Sequence, residues 1–262
     1  MRVSAVARTA VAAGLFAAVA SCGAGQEPPG APPTGGPSAQ PAQPHAAVGA
    51  LFIGGGPLHT CSGAVLDSPR ADLILTAAHC LTGDLDATFV PGYDGQAGGQ
   101  AGGQPEWSIE ATFVDQRWVD SQDPRADFAI ARVSRDGGGS VRTEAGGGLP
   151  LGRAPTPGTV VAVTGYPVGF GGGPISCTAA TVAGPRGFPA LPCDGLTDGL
   201  SGSPWLAGTA ITGLVGGLDG GGCDESVSYT PIFDDAISAL LARAEEGGSG
   251  DDAPTAFGDD CS

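Results

Sequence analysis

Apolar residues between Val48 and Tyr229 occur in short runs that Gly, Pro, Asp or Ser residues separate. The runs are rich in β-branched residues, and their spacing is typical of an all-β sandwich or barrel. They read AVGALFI, GAVLD, DLILTAA, ATFVP, SIEATFV, DFAIARV, TVVAVTGY, ATVAG, TAITGLVGG and VSYTPI. The pattern therefore predicts that this part of the chain is built from strands.

One segment has a helical period instead. In residues 234–246, DDAISALLARAEE, the apolar positions Ile237, Leu240, Leu241 and Ala244 follow an acidic start at three-four spacing, which predicts a terminal amphipathic helix. Residues 247–262 are acidic and Gly-rich, and we expect a loose tail except near its cysteine. The repetitive GQAGGQAGGQ at 95–104 predicts an exposed loop without catalytic importance.

The N-terminus has the pattern of an export signal. Two arginines precede an apolar run from Ala10 to Ala20, which is too short to span a bilayer. The AVA sequence at 18–20 would suit an ordinary signal peptidase, whereas VASC at 19–22 resembles the lipobox of bacterial lipoproteins, in which Cys22 would be lipidated. The chain has seven cysteines, and lipidation of Cys22 leaves an even set of six for an exported protein that pairs its thiols. We therefore favour residues 1–21 as a lipoprotein signal peptide.

Residues 22–47 contain almost no apolar side chain that could build a core. Such a Pro/Gly-rich stretch is expected to be a solvated linker, and it would be a tether if Cys22 carries lipid. The protein would then lie on the outer face of the cell membrane, and without lipid it would be secreted.

Composition and charge exclude several functions. The chain has 47 glycines and 23 prolines, which favour turns over long helices. Its formal net charge of -16 excludes nucleic acid as a partner, because phosphate binding needs a basic surface. The three histidines are dispersed and no C-x-x-C pair occurs, so we expect no metal and no cofactor.

The stretch DGLSGSPW at 198–205 places glycines on both sides of Ser201. Such a turn can present a nucleophile, and it can also be an ordinary tight turn. A serine hydroxyl needs a base to accept its proton, and histidine has a suitable pKa. His45 lies in the linker, which leaves His59 and His79. Cys61 and Cys80 bracket a strand, a turn and a second strand that ends at His79, and a bridge between them would stabilise this turn by roughly 3 kcal/mol.

Several motifs together resemble the trypsin/chymotrypsin family of serine proteases. TAAHC at 76–80 with the upstream CSGAVL is similar to the family's histidine region, and DFAIARV at 127–133 is similar to its aspartate strand. GLSGSP at 199–204 resembles its nucleophile loop in the GxSGSP form of bacterial secreted members, and VTGYP at 163–167 resembles the strand end before that loop. The resemblance covers roughly Val48 to Leu241.

The resemblance implies a role for each motif residue. His79 would accept the proton of Ser201, and Asp127 would orient the imidazole. Asp120 and Asp123 are competitors for this last role, but they precede a proline in a polar loop. The backbone N–H groups of Gly199 and Ser201 would form the oxyanion hole.

The chain departs from the family pattern at the residue before the nucleophile and in the expected substrate pocket. Leu200 replaces the aspartate that pairs with a new N-terminus in the animal proteases, so that activation route is excluded here. Gly195 stands where trypsin-like enzymes carry an aspartate, with Asp194 beside it. The expected pocket wall, ITGLVGGLDG, lacks the histidine of glutamyl-specific enzymes, and Gly216 and Gly217 would leave the entrance open. We expect an apolar or mid-sized side chain at the substrate position before the scissile bond.

The family also implies the architecture and the first disulfide. We expect two six-stranded Greek-key β-barrels, at 48–145 and 146–246, with the short helix closing the second and residues 247–262 as the tail. Cys61 would pair with Cys80. For the other cysteines we favour Cys177–Cys193 and Cys223–Cys261, with Cys193–Cys223 and Cys177–Cys261 as the alternative.

The sequence therefore predicts a monomeric, exported serine endopeptidase that acts on proteins or peptides and contacts the membrane only through a lipid on Cys22. The alternative is a surface binding protein that kept this fold and lost activity.

Overall fold

The computed structural model describes residues 35–83, 86–96, 103–254 and 261. The predicted signal peptide and Cys22 lie outside these residues. Within them the strands, in chain order, are β1 (Gln40–Pro41), β2 (Val48–Ile53), β3 (His59–Val65), β4 (Leu73–Thr76), β5 (Ala87–Pro91), β6 (Trp107–Val114), β7 (Ala129–Ser134), β8 (Val160–Gly165), β9 (Ile175–Ala180), β10 (Val182–Ala183), β11 (Pro189–Pro192), β12 (Pro204–Ala207), β13 (Ala210–Leu214) and β14 (Val227–Tyr229).

Helices are few and short in the described part of the chain. The α-helices are α1 (Gln116–Ser121), α2 (Val141–Glu144) and α3 (Asp235–Glu246), and single 3-10 turns lie at Ala78–Cys80, Pro124–Ala126, Pro185–Gly187 and Leu218–Gly221. No helix among the described residues has both the length and the apolar character that a membrane span requires. The all-β fold class is confirmed.

The first half of the fold is a closed barrel of six strands in the order β2-β3-β4-β7-β6-β5. Neighbouring strands are antiparallel, and Leu51, Leu75, Phe89 and Ile130 are fully buried in its core. Gly49 has no room for a side chain, because a Cβ there would overlap the carbonyl oxygen of Val90 and the ring of Phe89. The apolar runs therefore converge on one tightly packed interior.

The second half is formed by two sheets. One has five strands in the order β1-β9-β8-β12-β13, and the other has three in the order β10-β11-β14. The sequence predicts one six-stranded barrel here, whereas the described residues form eight strands in two sheets. A separate apolar cluster fills this half, and its buried members are Val161, Val163, Cys177, Ala179, Leu191, Cys193, Leu200, Trp205 and Val215.

Part of the predicted linker is a strand. Gln40 and Pro41 pair with Ser176 and Ile175 of β9, and the Ala42 N–H donates to the carbonyl oxygen of Pro174 at 2.9 Å. The linker prediction rested on side-chain composition, whereas this pairing uses backbone groups and leaves the side chains of β1 exposed.

The terminal helix begins one residue later than predicted, at Asp235 after the N-cap Asp234, and ends at Glu246 as predicted, but its predicted contact with the second barrel is wrong. Ile237, Leu240 and Ala244 belong to the core of the first barrel, and α3 packs against β6 and β7. The Arg243 guanidinium donates to the carbonyl oxygen of Val114 at 2.7 Å and fixes this docking. The three-four period identified the apolar face of the helix, and it carried no information about which barrel covers that face.

Candidate active site

The structure pairs His79 with Asp127. Oδ2 of Asp127 lies 2.7 Å from Nδ1 of His79, and Oδ1 of the same carboxylate accepts the backbone N–H of His79 at 3.0 Å. The Gly217 N–H also donates to Oδ2, at 2.7 Å. Asp127 is fully buried, so these three donors replace the water that would otherwise solvate its charge. The carboxylate therefore fixes both the position and the rotation of the imidazole.

Local structure explains why Asp127, and neither competitor, meets the histidine. Asp127 directly follows the 3-10 turn Pro124–Ala126, at the junction with β7. Asp123 caps that turn by accepting the Arg125 N–H at 2.9 Å, and Asp120 accepts a hydrogen bond from the Gln116 side chain at 2.7 Å. Both competing carboxylates therefore have local partners.

His79 is held by the turn that follows β4. The 3-10 turn Ala78–Cys80 is linked to β3 by the Cys61–Cys80 disulfide, whose Cα atoms lie 6.2 Å apart. The sulfur atoms and a ring nitrogen of His79 lie within 4.8 Å of one another. This group does not offer a metal thiolate ligands, because both sulfur atoms are used in the disulfide. Its function is to fix the histidine turn.

The nucleophile loop turns sharply at Gly199. Its φ of 93° lies in the left-handed region, and a Cβ there would overlap the backbone nitrogen of Val168. Gly202 is similarly enclosed, since a Cβ would overlap the carbonyl oxygen of Ser62 and the hydroxyl of Thr76. The glycines on both sides of Ser201 thus let the loop pack against the strand end at 166–168 and against the first barrel.

Ser62 connects the first barrel to this loop, and the sequence analysis did not single it out. Its N–H donates to the carbonyl oxygen of Ser201 at 2.8 Å, and its hydroxyl donates to the carbonyl oxygen of Gly199 at 3.1 Å. The same hydroxyl oxygen accepts the Tyr166 N–H at 2.9 Å. A serine in a strand has no distinctive pattern, and only its position after Cys61 could have drawn attention to it.

These contacts bring Ser201 next to the histidine turn. Sγ of Cys80 lies 3.8 Å from the carbonyl oxygen of Ser201. Within the described residues the Ser201 hydroxyl makes no hydrogen bond to the His79 ring. Hydrogen bonds between a nucleophile and its base are often long without substrate and tighten when substrate binds.

The predicted oxyanion donors make no hydrogen bond to any residue that the structure describes. Among the described residues, no carbonyl or side chain accepts the N–H of Gly199 or of Ser201, whereas the next N–H groups, of Gly202 and Ser203, donate to Val215 and Leu200 at 2.7 and 2.8 Å. Two unpaired donors, one residue apart and flanking Leu200, at a partly exposed serine suit an oxygen that gains negative charge.

The residues expected to contact substrate are dispersed. The Gly195 N–H donates to the carbonyl oxygen of Glu225 at 2.7 Å, on the loop before the nucleophile. Gly216 and Gly217 lie against Asp127, and a Cβ at Gly216 would lie 2.9 Å from its Oδ2. Leu218, which follows them, is buried. The side chain of Asp194 is exposed, and substrate contact at all these positions stays a prediction.

Two further disulfides fix this half of the site. Cys177 pairs with Cys193, and Cys223 pairs with Cys261, which are the pairings that the sequence analysis favoured. The first links β9 to the segment leading into the nucleophile loop. The second ties the C-terminal tail to the chain just after the turn Leu218–Gly221.

His59 is buried and aromatic rings surround it. Phe52, Tyr93 and Tyr166 lie with ring centroids 5.5 to 6.2 Å from the imidazole, and Nε2 contacts the carbonyl oxygen of Gly171 at 3.0 Å. Burial lowers the pKa of His59 from its ordinary value of 6.5, which favours the neutral ring. A buried neutral ring with this contact is structural, and it lies apart from the pair formed by His79 and Asp127.

Comparisons with known proteins identify the family and the fold. The sequence profile of the trypsin-like peptidase domain matches residues 61–216, more than half of the chain. No curated protein matches the chain significantly in sequence. Among solved structures, the protease Anisep from Arthrobacter nicotinovorans is 22% identical with a TM-score of 0.69. The match covers 80% of this chain and 100% of that one.

Two other structures are similar. The thermostable serine protease AL20 from an extremophilic microorganism is 23% identical with a TM-score of 0.66, and the match covers 78% of this chain and 99% of that one. A Glu endopeptidase is 15% identical with a TM-score of 0.63, over 81% and 98% of the two chains. At these identities the structures show the fold, and the profile shows the family. The chain belongs to the trypsin-like peptidase family.

Proposed function

We propose that the protein is an exported serine endopeptidase that hydrolyses peptide bonds through an acyl-enzyme on Ser201. The observation that carries this proposal is the pairing of His79 with the buried carboxylate of Asp127 at 2.7 Å, beside a loop whose Ser201 carbonyl is held by Ser62. The family supplies the reaction class, and these residues supply its chemical groups.

In the proposed reaction the Ser201 hydroxyl attacks the substrate carbonyl carbon while Nε2 of His79 accepts its proton. The carbonyl π bond breaks, and the negative oxygen is bound by the N–H groups of Gly199 and Ser201. His79 then gives the proton to the leaving amine as the C–N bond breaks. Water attacks the resulting ester with the same base, which releases the acid and restores the serine.

The three disulfides support export, because such bonds persist in oxidising compartments. Lipidation of Cys22 stays part of the proposal. Its test is detergent partitioning of the native protein against Cys22→Ser. A parent that partitions into detergent while the variant stays in water supports the lipid anchor, and equal partitioning into water excludes it.

The activity is tested with a fluorophosphonate probe, which reacts with a serine that its own base activates. We expect labelling of Ser201 in the parent and loss of labelling in Ser201→Ala and His79→Ala. A folded parent that stays unlabelled would exclude the peptidase and favour a binding protein with this fold. If the parent reacts with the probe, cleavage of a peptide library by the unlabelled parent then tests the expected preference for an apolar or mid-sized residue before the scissile bond.

A further inference from the structure

The side chain of Leu200 points away from the site into the apolar cluster of the second half. It is 1% exposed and packs there with Val161, Val163, Leu191 and Trp205. Both cysteines of the Cys177–Cys193 disulfide belong to the same cluster. Since Leu200 lies between Gly199 and Ser201, its burial fixes the loop segment that carries both proposed oxyanion donors.

The N-terminal segment Pro37–Ala42 covers this cluster from outside. Its Ala39 packs against the cluster, and the Ala39 N–H donates to the carbonyl oxygen of Asp194 at 2.8 Å. The Asp194 N–H returns a hydrogen bond to the carbonyl oxygen of Pro37 at 2.9 Å. The segment therefore clamps the residue that follows Cys193, at the start of the loop leading to Ser201.

The same segment also holds the other end of the disulfide. Gln40 and Pro41 pair with β9, the strand that carries Cys177. Strand pairing, the disulfide and the Asp194 hydrogen bonds thus form a closed circuit of contacts beside the cluster that contains Leu200. Each of these contacts uses backbone, sulfur or apolar groups, and none requires a free amino terminus.

We propose that the segment Pro37–Ala42 and the buried Leu200 side chain together position the nucleophile loop. The enzyme would then be active while the chain is still intact at this segment. The inference rests on the proposed function. The segment lies within a continuous chain and reaches the loop by strand pairing, whereas an ion pair with a new N-terminus would need a carboxylate at position 200. Leu200 and the segment are positioning groups and do not contact the reacting atoms.

The first test is the covalent state of the active protein. The full exported chain is labelled with the fluorophosphonate, and the labelled molecules are sequenced by mass spectrometry across residues 35–47. We expect labelled molecules in which this segment is intact. If label is found only in molecules cut within 35–47, the inference is wrong while the proposed function stands, and a parent without any label contradicts the proposed function itself.

The second test compares two leucines of one cluster. Leu200→Ala and Leu191→Ala remove the same atoms from equally buried positions of one cluster, but Leu191 belongs to strand β11 and its backbone is not part of the nucleophile loop. We expect similar losses of stability, with a fall in kcat of at least about tenfold and little change in KM for Leu200→Ala alone. Leu200→Met should have a kcat close to that of the parent. If Leu200→Ala does not fold, Leu200→Val is measured in its place. Equal kcat values for the two leucine variants would overturn the inference.

The third test removes one hydrogen bond of the segment. Ala39→Pro lacks the N–H that donates to Asp194, and Ala39→Ser keeps it. We expect kcat to fall roughly three- to tenfold in the proline variant and to stay near the parent value in the serine variant. Parent-like kcat in both variants, with the segment still folded by hydrogen exchange, contradicts a positioning role for the segment.

Discussion

The hydroxyl of Ser62 donates to the carbonyl oxygen of Gly199 at 3.1 Å, across the boundary between the first barrel and the nucleophile loop. This bond sets the rotation of the peptide that follows Gly199. In Ser62→Ala that carbonyl loses its donor, and the Tyr166 N–H loses its acceptor. We expect kcat to fall about tenfold and the free energy of unfolding to fall by about 1–3 kcal/mol, as measured by steady-state kinetics and urea unfolding.

The control is Ser228→Ala on β14. Ser228 is also buried, but the one hydrogen bond that its hydroxyl makes to a described residue is a long one of 3.5 Å to the carbonyl oxygen of its neighbour Tyr229. Its kcat should equal that of the parent. A Ser62→Ala enzyme with parent kcat would show that the loop keeps its geometry without this bond.

Asp127→Asn tests the orientation of the imidazole. Both carboxylate oxygens accept hydrogen bonds from N–H groups, so the amide of asparagine must face one donor with its own NH₂ or force the histidine into the other tautomer. We expect kcat to fall by about 10⁴ near neutral pH with the fold retained. Asp123→Asn is the matched control, because asparagine caps a turn as well as aspartate does, and its kcat should stay within about twofold. A small loss in Asp127→Asn would exclude its proposed role.

Gly199→Ala tests the close approach of the nucleophile loop to the strand end at 166–168. The added Cβ must displace the Val168 backbone, which moves a proposed oxyanion donor. We expect a fall in kcat of about a hundredfold. Gly208→Ala has the same left-handed strain, with φ of 64°, but its Cβ would have open space. That variant should lose about 1 kcal/mol of stability and keep its kcat; equal kcat losses would mean that strain alone explains the effect.

The buried ring of His59 makes stability depend on pH. Its pKa is lowered in the folded state, so the unfolded chain binds more protons between the folded pKa and the ordinary value of 6.5. The contribution of the neutral ring is therefore complete above pH 6.5 and is lost as the pH falls toward the folded pKa. Unfolding free energies measured from pH 7.5 downward should decrease in the parent and less steeply in His59→Phe. Identical slopes would contradict this assignment.

Much of the fold follows from the apolar runs, because a run punctuated by turn residues indicates a strand whatever packs on it. The strands that the pattern missed have different compositions. β11 begins and ends with proline, β12 begins with proline, β9 mixes polar and small residues, and β1 has only Gln40 and Pro41. Their backbone pairing partners hold them in place, and a single-sequence pattern does not contain that information.

For the site, motif resemblance was enough to predict the meeting of His79 with Asp127. It was not enough for Ser62 or for the contact between Ala39 and the cluster of Leu200. Those contacts join positions more than a hundred residues apart, and they depend on how the folded halves meet. Short polar and small side chains of this kind have many local environments, so their roles emerge only from the structure.

Each end of the described chain packs against the half of the fold that is more distant from it in sequence. Strand β1, near the beginning, completes a sheet of the second half, and helix α3, near the end, fills the core of the first barrel. When only the strands of the first barrel have been synthesised, the apolar surface that α3 covers is still exposed. The core of the first barrel is therefore completed only when the C-terminal helix has been synthesised and has docked on β6 and β7.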